Sequence, residues 1–146
     1  MLTAQATAQY FLSLTDDESG DVMTNLKLQK LLYYAQGLHL ALFHSPLFND
    51  PVEARMHGPV VRSVYFDYNE YGNQPIPKPE DFEIAAIDAD TRQFLDEVYE
   101  VYGQFSAWKL RNMIHQEMPW KNTDINHVIT HDKLEQFFQT RIIDDD

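Results

Sequence analysis

The chain has no cysteine among its 146 residues, so a disulfide, a thiol nucleophile and a cysteine-ligated zinc site are all excluded. Positive charge is scarce: 11 Lys and Arg stand against 23 Asp and Glu, a formal charge of −12. Duplex-binding proteins carry a basic face, and anionic membranes attract basic segments. The balance therefore argues against nucleic acid and membrane as partners and favours a basic one. Long apolar runs are also missing. None approaches the ~20 residues of a membrane span. The opening MLTAQATAQYFLSL has neither the basic start nor the apolar stretch of a secretory signal. A cytoplasmic protein is expected.

What is present is apolar and aromatic. Hydrophobic residues make up 44% and aromatics 13%, with eight Tyr and nine Phe. That is enough for one packed domain burying roughly two-thirds of its unfolded surface. The acids are uneven. Between Phe66 and Glu100 there are ten (Asp67, Glu70, Glu80, Asp81, Glu83, Asp88, Asp90, Asp96, Glu97, Glu100) against Lys78 and Arg92 alone, which is −8 of the −12. Such a stretch is a solvated face or a docking surface for a basic protein.

Hydrophobic spacing predicts a mainly α, single compact domain (1–146) of about six helices, with at most a short strand pair. The first runs from Thr3 to Leu14. A polar TDDESGDVM connection leads to the strongest, Thr24 to Phe43, striped by Leu28, Leu31, Leu32, Ala35, Leu38 and Leu42. Lys27 and Lys30 lie off that stripe, and Gly37 inside it points to a close helix crossing. VEARM is short enough for one strand. A third helix spans Val60 to Tyr71, and residues 73–87, with three prolines, form an extended loop of a kind that is often functional. Asp90 with Gln93 makes a capping box for the next helix, which Gly103 closes. Ser106 caps a fifth that Pro119 ends, because the residue before proline is pushed out of helical geometry. The last runs from His131 to Ile143 behind Thr130, and 144–146 is a frayed tail.

Motifs for chemistry are thin. The chain has no GxxxxGK[ST], GxGxxG, HExxH or GxSxG. HQE at 115–117 matches the first part of a zinc-deaminase signature, but the P-C-x-x-C it needs is impossible without cysteine. The six histidines are scattered, and the carboxylates fall in polar segments where their pKa stays ordinary. No nucleophile, base and orienter group together. Composition and motifs thus point to a binding module, with no enzyme activity, cofactor or metal expected. MHGPVV at 56–61 reads as a corner into a helix: Gly58 tolerates backbone forbidden to other residues, and Pro59 suits the first helical position. HQEMPW at 115–120 reads as a second corner, with Trp120 as a packing plug.

Four stretches together, TNLKLQKLLYYAQG (24–37), PLFNDPVEARMHGPVV (46–61), VYFDYNEYG (64–72) and MIHQEMPW (113–120), resemble the Panacea domain of SocA-type antitoxins and phage-associated GepA-like proteins. The resemblance covers nearly the whole chain in order. It implies a helical antitoxin of bacteria or their phages, with a place in phage defence. Such an antitoxin neutralises a neighbouring protein toxin by direct binding or, in one branch, delivers it to a ClpXP-type protease. Lys27, Lys30, Tyr33, His57, Gly58, Pro59, Tyr65, His115, Pro119 and Trp120 carry over as signature positions. Arg55, Arg62 and Ile114 depart from the family's usual Trp, Pro and Thr or Ser. Tyr33, Tyr34 and Phe66, aromatics on the second and third helices, are the expected toxin contacts where exposed, or core residues where another helix covers them. The acidic charge implies a toxin with a basic surface.

Overall fold

Two threonine caps open the first two helices of the computed structural model, which describes residues 1–16 and 22–142. Thr3 accepts a hydrogen bond from Ala6 N at the start of α1 (Ala4–Ser13), and Thr24 accepts one from Lys27 N at the start of α2 (Asn25–Phe43). α2 is the axis of the fold. It packs against α1 and, further along the chain, against a β-strand and four later helices. Its Leu28, Leu31, Leu32, Tyr33, Tyr34 and Ala35 are all in the core. Neighbours on several sides leave this helix little solvent face beyond its ends, where Leu26, Leu42 and Phe43 are exposed. Lys27, Gln29, Lys30 and Gln36 are accordingly buried as well, against the expectation that both lysines lie off the buried stripe.

The two buried glutamines fasten irregular chain to this axis. Gln36 donates to Phe48 O at 2.8 Å and accepts from Leu47 N at 2.8 Å, while Gln29 accepts from Val61 N at 2.8 Å. Between those anchors runs a hairpin, β1 (Glu53–Arg55) antiparallel to β2 (Gly58–Val60), joined by Met56 and His57. Pro59 is thus a strand residue, where the sequence had placed it at a helix start. It pairs with Ala54, whose N–H and C=O both turn the other way, to His127 O and Asn126 N, so the missing proline N–H costs no ladder bond. Gly58 has φ +120°, a conformation that requires glycine. The third helix begins two residues later than expected, as α3 (Arg62–Tyr68), and a 3-10 turn (Asn69–Tyr71) completes it.

Residues 73–87 include a 3-10 turn at Ile84–Ala86 and are held by Ile76 N bonding to Met23 O and by burial of Ile76 and Ile87. α4 (Ala89–Tyr102) is capped by Asp88, which accepts from Thr91 N at 2.8 Å, and not by the Asp90–Gln93 box. Ser106 caps α5 (Ala107–His115). Pro119 does not end that helix. Glu117 takes extended geometry (φ −90°, ψ 141°), and Met118 and Pro119 open a separate short helix, α6 (Met118–Lys121), since proline is at home in a first turn. α7 (His131–Ile142) closes the core against α2 at Gly37, where an added Cβ would fall on the ring of Phe138. The close crossing expected at that glycine is therefore present. The expected tail at 144–146, the last helical residue Ile143 and residues 17–21 of the acidic connection lie outside the described residues. Among the described residues the domain is mainly α, with seven α-helices and one two-stranded sheet.

Candidate functional site

The hairpin brings distant signature positions together. Gly58 lies directly over Lys30 of α2, so that a Cβ at Gly58 would sit 3.3 Å from Lys30 Nζ. On the other side of β2 is α5. Its last residue, His115, stacks on Trp120 of α6 with ring centroids 4.1 Å apart, and Trp120 donates from Nε1 to Arg55 O at 2.8 Å. The departure at Arg55 leaves this bond intact, because only its backbone takes part. Arg111, one helical turn before His115, lies over Trp108 at 4.8 Å. Burial, and then the charge of Arg111, push Lys30 down to about 8. His115 is also lowered, by burial first and then by Arg111, Lys30 and His57. Lys30, His57, Gly58, His115 and Trp120 thus form one neighbourhood. Lys27 belongs to another, donating to Gly103 O at 2.7 Å.

One turn along α2 a second buried charge is handled differently. Glu117, between α5 and α6, accepts from Tyr33 Oη at 3.0 Å and from Tyr34 Oη at 2.8 Å. Burial raises its pKa, and the two tyrosine hydrogen bonds and Arg141 oppose the rise. Tyr34 also stacks on Tyr102 at 4.0 Å, and both Tyr33 and Tyr34 meet Phe138 edge-on. With relative exposures of 0% and 1%, Tyr33 and Tyr34 are core residues and cannot contact a partner in this conformation, which corrects the expectation of them as toxin contacts. The reason is that α4, α5 and α7 cover both sides of α2 at once. Sequence reasoning missed Glu117. Its signal was a lone acid among Met113, Ile114, Met118 and Trp120, facing a helix with two adjacent tyrosines.

Phe66 does reach solvent, at 57% exposure, with Tyr65 beside it at a ring distance of 5.7 Å. Arg62 lies over the Phe66 ring at 5.6 Å. Together with Asp50, Pro51, Glu53 and Ser63 they line a cleft of about 400 Å³ between α3 and the start of the hairpin. Asp50 is fixed there by Ser63 Oγ at 2.8 Å and by Ala4 N at 3.3 Å. The cleft therefore offers a preset carboxylate and an exposed aromatic ring on rigid elements. Elsewhere, among the described residues, no three His, Asp or Glu side chains come together as a metal ion needs, and no helix is long and apolar enough to cross a membrane.

No curated protein and no solved structure matches the chain. A family model described as "Antitoxin SocA-like, Panacea domain" matches residues 28–121. That segment is nearly two-thirds of the sequence and spans the structure from α2 to α6. It holds the hairpin, the Lys30–His115 neighbourhood and the Phe66 cleft, and leaves α1 and α7 outside. With the match running through every signature residue except Lys27, the chain belongs to the SocA-like antitoxin family of Panacea domains.

Proposed function

We propose that this protein neutralises a protein toxin by binding it directly, and that the Phe66 cleft is the docking surface. Membership of an antitoxin family supports a toxin as the partner. The observation that carries the docking surface is an exposed Phe66 ring beside the fixed carboxylate of Asp50, on a chain of net charge −12. An aromatic anchor with acidic surroundings fits a basic toxin surface that presents an apolar pocket or side chain. No reaction is assigned to the antitoxin, and neutralisation follows from occupation of the toxin's working surface.

The test is co-expression with the toxin encoded next to it. Wild-type antitoxin restores growth and co-purifies in a fixed ratio, whereas Phe66→Asp does neither while folding normally. The association rate falls steeply from low to high salt, because an acidic partner steers a basic one. Growth rescue by Phe66→Asp, or a rate flat across ionic strength, refutes the surface. Toxin half-life measured in the same cells separates binding alone, which leaves toxin levels unchanged, from delivery to a ClpXP-type protease, which lowers them.

A further inference from the structure

We propose that the docking surface continues beyond the Phe66 cleft, across the outer face of the hairpin to Val128, Ile125 and Met56, and that this second part receives apolar side chains of the toxin. The inference rests on the reading of the cleft as the toxin-binding surface and extends it.

The cleft is too small to be an interface by itself. Six residues line it, whereas a stable protein–protein interface takes roughly 20–30 residues from each side. A toxin seated there touches more of the surrounding surface, and the exposed apolar residues next to the cleft show in which direction.

Glu53 connects the two parts. It lines the cleft, and it is also the middle of a cross-strand row, pairing with Val60 of β2 on one side and with Val128 on the other. Paired residues set their side chains on the same face of a sheet, and successive residues alternate. Ala54, next along β1, is buried, so Val60, Glu53 and Val128 share the outer face. Two strand spacings make that row about 10 Å wide. Val128 is 49% exposed. Arg55 returns to the same face, donating from Nε to Glu53 Oε1 at 3.1 Å and from Nη1 to Asn126 Oδ1 at 3.0 Å. Met56, 70% exposed, follows Arg55 in the hairpin turn, and Ile125, 46% exposed, precedes Asn126.

Single exposed apolar residues are ordinary, but three around one hairpin, adjoining a cleft with its own exposed aromatic, make a patch. The charges within the row, Glu53 and Arg55, neutralise each other. What this face offers a partner is therefore apolar area, beside the carboxylate of Asp50. The match is a toxin surface on which basic and apolar side chains lie side by side.

The patch is also preset. Asn126 N donates to Ala54 O at 2.6 Å and Ile129 N to Val52 O at 2.7 Å, so residues 126–129 run along β1 like a third strand. Asn126 holds φ +73°, a conformation asparagine tolerates better than most residues. Trp120 Nε1 anchors Arg55 O from the α6 side. Little backbone freedom is left to lose when a partner arrives, and preorganisation of this kind raises affinity.

The test is a calorimetric titration of the full-length antitoxin with the toxin encoded next to it. Met56→Lys, Ile125→Lys and Val128→Lys each exchange an exposed apolar side chain for a charge that a basic toxin repels. Each is expected to weaken binding at least about fivefold, with unchanged thermal unfolding to show that the variant is folded. Val128→Ile keeps the apolar area and is expected to keep the affinity. Val101→Lys, on the exposed side of α4, is expected to bind as wild type does. Unchanged affinity in all three hairpin variants, with Phe66→Asp still inactive, overturns the extension and leaves the cleft as the docking surface. A loss in Val101→Lys equal to that in Val128→Lys overturns the extension as well, because added charge alone then accounts for the effect. Full binding by Phe66→Asp removes the cleft itself, and the extension with it.

Discussion

Two charges are buried along the same helix face, and they are treated in opposite ways. Around Glu117 the fold supplies partners: two tyrosine hydroxyls donate to the two carboxylate oxygens, and Arg141 adds a favourable field. Around Lys30 it supplies none. Burial and then the like charge of Arg111 lower its titration, and the ammonium keeps one long bond to its own helix. A carboxylate satisfied from within joins α2 to the α5–α6 junction and is part of what holds the domain together. An ammonium left with one long bond weakens the domain by its desolvation.

The comparison breaks most visibly at Glu117. Replacing it by Ala strands two buried hydroxyls and opens a gap, and is expected to lower stability by about 3–5 kcal/mol in chemical denaturation. Glu117→Gln keeps one good acceptor and is expected to lose less than half as much. At the other site the sign reverses: Lys30→Met is expected to raise stability by about 2–3 kcal/mol at pH 7. The pH dependence sharpens this. The lysine titrates near 8 when folded and 10.5 otherwise, so between those values the unfolded chain binds more protons and wild-type stability rises with pH. That rise is expected in urea unfolding up to about pH 9.5, beyond which unfolded tyrosines ionise and oppose it. In Lys30→Met the slope disappears, and an unchanged slope would place the shift elsewhere. Tyr34→Phe removes one of the two donors to Glu117 and is expected to cost about 1–2 kcal/mol in thermal unfolding. Least of all, Phe66→Asp changes stability by no more than about 0.5 kcal/mol, being exposed, while abolishing toxin capture in a pull-down.

Much of the scaffold was legible from local signals. The caps Thr3, Thr24 and Ser106, the crossing at Gly37 and the span of α7 each rest on chemistry confined to a few neighbouring residues. Errors came where the deciding partner was far away in the chain. Pro59 suits a helix start or a strand, and the strand won because Ala54 directs its hydrogen bonds to residues 126 and 127, some seventy positions later. Lys27 and Lys30 lie off a one-sided stripe, but later elements cover more of α2 than that stripe, which periodicity does not reveal. Of the three aromatics expected as toxin contacts, Tyr33 and Tyr34 became ligands of a distant Glu117, and Phe66 alone remained outside. The signature residues were identifiable, but the meeting of Lys30, Gly58, His115 and Trp120 was not, since they come from α2, β2, α5 and α6.

The seat of Phe138 against Gly37 also sets a schedule. The two residues are about a hundred positions apart, and Phe138 is what caps the edges of the Tyr33 and Tyr34 rings. A ribosome adding 5–20 residues per second takes roughly 5 to 20 seconds to travel between them. Throughout that interval the part of α2 that α7 covers, with the edges of both tyrosine rings, lacks its final cover. The core of this chain is thus completed only when its last helix is made.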